Sequence, residues 1–81
     1  MDKPWSKPVI LALEGPGKYT TISNATEASW ALIEDWPLED GTALDRALLV
    51  FAAVAEGKKS TEDARRAFVA AAVEAGIDIR A

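Results

Sequence analysis

Two side chains widely used for catalysis and metal binding are missing from this sequence, which contains no cysteine and no histidine. A thiolate nucleophile, a disulfide framework and the usual zinc ligand sets are thereby excluded. What remains is Asp, Glu, Lys, Arg and a single Tyr, from which acid–base chemistry arises only where a pocket shifts the pKa of a titratable group. Two clusters have a spacing worth weighing. Glu34, Asp35, Glu39, Asp40 and Asp45 gather the oxygen atoms that a hard cation prefers, but they fit no EF-hand loop. They read as a solvated acidic surface near the positive end of a helix. Lys58, Lys59, Arg65 and Arg66 surround the start of another helix, where unpaired amides attract phosphate or carboxylate, and they form the candidate anion site. Against that reading, Ser60 is itself a helix cap, Glu62 and Asp63 share the same turn, and no glycine-rich cradle precedes them. Arg65 is expected to be structural, its stem over Phe68 or Ala72 and its guanidinium on a carboxylate of another element.

These residues must be held by local structure that the chain specifies clearly. Val9–Leu13 is a short aliphatic run bounded by Pro8 and by Glu14-Gly15-Pro16-Gly17-Lys18, a chain reversal, and Tyr19–Ile22 completes a hairpin. Both faces of the first strand carry apolar groups, so a helix layer on one side leaves Ile10 and Ala12 needing another cover. Asn24 with Glu27 caps a first helix running to about Trp36, where Pro37 disfavours helical geometry. Thr42 starts a second helix with Asp45 in its first turn. From Ala43 to Ala55 that helix is apolar nearly all round after its first turn, with Leu48, Leu49, Val50, Phe51 and Val54 spread about its axis, so it is expected to lie in the middle of the fold. Ser60 with Asp63 caps a third helix that ends before Gly76. Ile77–Arg80 alternates apolar and polar residues, and is short for a strand.

The expected fold is α+β: a β-hairpin, with a third short C-terminal strand as an option, packed on three α-helices in the order ββααα(β). At 81 residues one domain is expected over 1–81, with residues 1–6 as a flexible lead. The net charge of −4 opposes general nucleic-acid binding, and no long uncharged apolar run or leader is present. A cytoplasmic location without cofactor or metal is therefore expected.

Several residues fall in a familiar order: Trp5, Pro8-Val9, Glu27-Ala28, Trp36-Pro37, Gly41, Ala47, Gly57, Ala64-Arg65, Ala67-Phe68, Ala71-Ala72 and Glu74-Ala75-Gly76-Ile77. On these the chain resembles the domain of unknown function 982 family, short stand-alone proteins of rhizobia and related alphaproteobacteria. The resemblance covers essentially everything from Trp5 onward. Phe51 stands where such proteins often carry a cysteine. It implies a fold and brings no activity, cofactor or site residue with it.

Function therefore rests on the surface. Trp36 falls on the apolar stripe of the first helix and is expected in the core, whereas Trp30 points away from it. Val69 and Val73 form a second ridge on the third helix. Trp30, Val69 and Val73 are the candidate interface. A non-enzymatic interaction or regulatory module is expected, as a homodimer or with another protein partner and without nucleic acid or membrane. The alternative is a small-molecule or anion-binding protein that uses the basic start of the third helix.

Overall fold

The computed structural model describes residues 4–80, and its elements follow the expected ββααα(β) order. Strands β1 (Pro4–Leu11) and β2 (Thr20–Asn24) are antiparallel neighbours, and β3 (Ile79–Arg80) pairs antiparallel with the other edge of β1, giving the order β2-β1-β3. The last strand thus forms, but only over Ile79 and Arg80. Strand β1 already begins at Pro4 with Trp5 buried, so residues 4–6 belong to the sheet and not to a lead. Residues 1–3 lie outside the described residues.

Strand β1 is not regular. Pro4 faces Asn24 and Val9 faces Ile22, so five steps along β1 are matched by two along β2. Such a bulge leaves backbone groups unpaired in the sheet, and these need partners. A helix supplies them. Glu62 accepts hydrogen bonds from the Ser6 amide (3.1 Å) and the Ser6 hydroxyl (2.7 Å), while Arg65 Nε donates to the Lys7 carbonyl at 2.7 Å. Arg65 is therefore structural, as expected, but its partner is a backbone carbonyl rather than a carboxylate.

On the face of the sheet away from the helices, Ile10 stands between Thr21 and Arg80. The Tyr19 hydroxyl donates to Asp78 Oδ2 at 2.6 Å, and the Arg80 guanidinium lies 4.9 Å from the Tyr19 ring centre. These side chains link β2 to β3 beside Ala12, whose amide bonds the Asp78 carbonyl at 2.9 Å. Ile10 and Ala12 remain only partly buried on that face. The bond to Asp78 also raises the Tyr19 pKa above its ordinary value of 10.0.

Helix α1 (Ala25–Trp30) starts where the sequence indicates: Asn24 Oδ1 accepts from the Glu27 amide at 2.8 Å, and Glu27 accepts from the Ser23 amide at 2.7 Å. It continues as a π-helical segment over Ala31–Asp35 and stops at Trp36, which is extended ahead of Pro37. The wider turn carries Ala31 into the core beside Leu32 and leaves Ile33 in solvent. Trp36 is half-buried and packs on Phe68. Helices α2 (Thr42–Ala55) and α3 (Thr61–Glu74) form a hairpin that turns at Gly57, whose φ of 78° suits a residue without a Cβ.

The expectation that the second helix lies in the middle is corrected: α3 does. It touches β1, β3, α1 and α2, and Ala64, Phe68, Ala71 and Ala72 are wholly buried. Small side chains explain this, because alanines on two sides of α3 let strand and helix backbones approach it closely. Helix α2 buries Leu44, Ala47 and Phe51 and leaves its remaining apolar side open.

Candidate functional site

The start of α3 is closed upon itself. Ser60 Oγ accepts from the Asp63 amide at 3.2 Å while Asp63 Oδ2 accepts from the Ser60 amide at 3.0 Å, a reciprocal capping box. The four basic residues do not converge there. Arg65 is bonded to Lys7, Arg66 donates to Asp63, and Lys58 lies 3.6 Å from Glu56 in an exposed pair. Only Lys59 of the four lines a cleft of about 580 Å³ between α1, the end of α2 and the start of α3, together with Thr26, Ser29, Phe51 and Val54. The place an external anion would take at this helix end is filled by the carboxylate of Asp63.

The same bonds set the titration of the segment. The Ser60 amide, then Arg66 and the Ser60 hydroxyl, hold Asp63 ionised and lower its pKa from 3.8 to about 2. Bonds from the Ser6 hydroxyl and amide likewise hold Glu62 below its ordinary value. Both folded-state values are depressed, so the unfolded chain binds more protons in acid. The stability these groups contribute is complete above the ordinary carboxylate range and is lost as pH falls through the folded values. Melting temperature is expected to drop between about pH 5 and pH 2, and Asp63→Asn should flatten that drop while lowering stability at neutral pH. Thermal melts of both proteins across that range check it, and equal slopes would contradict the assignment.

The acidic residues between α1 and α2 are all exposed. Among the described residues no group of three or more carboxylates could hold a metal ion.

The candidate interface residues fare unequally. Trp30 is 58% exposed and Val73 65% exposed, both open to a partner. Val69 is half-buried and packs against the core, so it is not open to a partner as Val73 is. Among the described residues, the large apolar side chains with the highest fractional exposure are ones that the periodicity did not single out: Ile33 at 72% and Leu49 at 73%. A signal for Leu49 was present, since a helix apolar on every side must either lie in the middle of its own fold or be covered by something else.

At the opposite end of α2, Gly41 provides no side-chain cap. The carboxylate of Glu74, from the last turn of α3, accepts from the amides of Ala43 (2.9 Å) and Leu44 (3.1 Å) instead. An acid at the positive end of one helix is thus delivered by another, which ties the hairpin together.

Among the described residues no helix is long and apolar enough to cross a membrane. No curated protein and no solved structure matches the chain. Residues 7–79, however, match the family described as "Protein of unknown function (DUF982)", nearly the whole length, and include both Gly41 and Glu74 of the interhelical cap and Glu62 and Arg65 of the strand staple. The chain belongs to that family.

Proposed function

We propose that this protein is an interaction module without a catalytic centre of its own, that its working surface is the outer side of the helical layer, and that its partner is a second copy. One observation carries the reading. Helix α2 has no polar side chain between Ala47 and Ala55, yet Leu48, Leu49, Ala52 and Ala55 all lie on the outside. Exposed apolar groups concentrated on one element mark a surface that another protein covers, whereas isolated ones do not. Self-association also suits a small fold that has no disulfide to strengthen it. Against catalysis, the groups with shifted titration among the described residues, Tyr19, Glu62 and Asp63, all belong to bonds that hold strands and helix ends together.

The test is sedimentation velocity on the wild type and on Leu49→Glu at high micromolar concentration. The wild type is expected to sediment as a dimer. The variant places a charge in the interface twice per symmetric dimer, and should sediment as a monomer with native circular dichroism. A wild-type chain that stays monomeric throughout would overturn the reading.

A further inference from the structure

Resting on that reading, we propose that two copies pair through α2 as an antiparallel helix pair about a twofold axis, with Leu49 on the second copy's Ala53 and Arg46 beside the second copy's Glu56. Along the outer side of the helix, Thr42, Arg46, Leu49, Ala53 and Glu56 recur at alternating intervals of four and three residues. That spacing is the seam by which two helices supercoil side by side. Thr42, Arg46, Leu49 and Glu56 are exposed and Ala53 is half-buried, so four of the five seam positions are open to a partner helix.

The direction and level of pairing follow from charge and volume. A parallel pair in register would set Arg46 against its own copy and Glu56 against its own copy, with Leu49 on Leu49 and a gap where two copies of Ala53 meet. Like charges would repel at both ends. Reversing one helix, with the axis crossing at the level of Phe51, places Leu49 over Ala53 and Arg46 beside Glu56, each contact occurring twice. A large side chain then fills the space above a small one, and the helix axes can approach closely. In this reversed register Asp45 also falls within one residue of the second copy's Lys58, so unlike charges meet at both ends of the seam. The existing exposed pair of Lys58 with Glu56, at 3.6 Å, leaves carboxylate oxygens for a second cation.

The experiment uses Arg46→Glu and Glu56→Arg, separately and mixed, by sedimentation equilibrium and native mass spectrometry. Both positions are exposed, so circular dichroism should remain native in each. Either variant alone opposes like charges twice per dimer, and is expected to weaken self-association by at least about tenfold at low salt. An equimolar mixture should recover a heterodimer of wild-type affinity, because one chain then carries two acids and the other two bases at the paired positions. Variants that dimerise as the wild type does, or a mixture that recovers nothing, would overturn this pairing even where Leu49→Glu shows that α2 is the surface. A monomeric wild type would overturn the pairing and the surface together.

Discussion

Phe68→Ala is expected to leave the protein largely unfolded at room temperature. Phe68 has no exposed surface, and three aromatic rings surround it: Trp36 at 5.5 Å, Trp5 at 5.8 Å and Phe51 at 6.5 Å between centroids. Those rings come from β1, from the segment that ends the first helix, and from α2, so this one side chain of α3 connects the three parts of the molecule. Truncating a buried Phe typically costs about 3–5 kcal/mol, and a core of this size rarely supplies more than that in total. Here the cost is sharpened by polarity. The indole nitrogens of Trp5 and Trp36 are buried without a hydrogen-bond partner in the protein, an arrangement that only good ring packing offsets. Opening a cavity beside them removes the compensation. Phe68→Leu, which keeps most of the volume, should lose no more than about 1.5 kcal/mol. Urea unfolding of the three proteins distinguishes the outcomes, and an alanine variant with a cooperative transition near that of the wild type would show that the rings do not depend on Phe68.

Local signals of this fold are readable in the sequence because they act over three or four residues. Asn24 with Glu27 and Ser60 with Asp63 are capping pairs whose chemistry is fully specified by spacing, and Pro37 stops the first helix through its effect on Trp36 alone. What the sequence conceals is settled by partners far along the chain. Arg65 meets Lys7 and Glu62 meets Ser6 because of a bulge in β1, and nothing in the run from Pro4 to Val9 announces where its unpaired groups will go. The π-helical segment at Ala31–Asp35 shifts the buried side of the first helix away from an ideal helical stripe, which exposes Ile33 and leaves Trp36 only half covered. The position of α2 is concealed for another reason. Its aliphatic run states that all sides are to be covered, but not by what, and the alanines of α3 take the central place. The basic residues near Lys58 form a cluster only in sequence, for each arginine turns to a different partner.

Gly41→Ala is expected to cost about 2–4 kcal/mol, a large effect for the addition of one methyl group. Two causes add. Gly41 has a φ of 151°, a conformation that side-chain-bearing residues rarely adopt, and a Cβ there would fall 2.8 Å from Glu74 Cδ and closer still to a carboxylate oxygen. The carboxylate cannot simply move aside, because it caps the amides of Ala43 and Leu44 at the start of α2. Losing that cap alone, as in Glu74→Ala, should cost about 1–2 kcal/mol. The two losses are therefore not independent. Once Glu74 is truncated the added methyl group meets no carboxylate, and Gly41→Ala should then cost only its backbone strain, with the double variant more stable than the sum of the single changes predicts by about 1 kcal/mol or more. Chemical denaturation of the four proteins in this cycle measures the coupling directly. Strict additivity would mean that Gly41 is required for its backbone conformation alone and that the close approach of the α3 carboxylate has no energetic consequence.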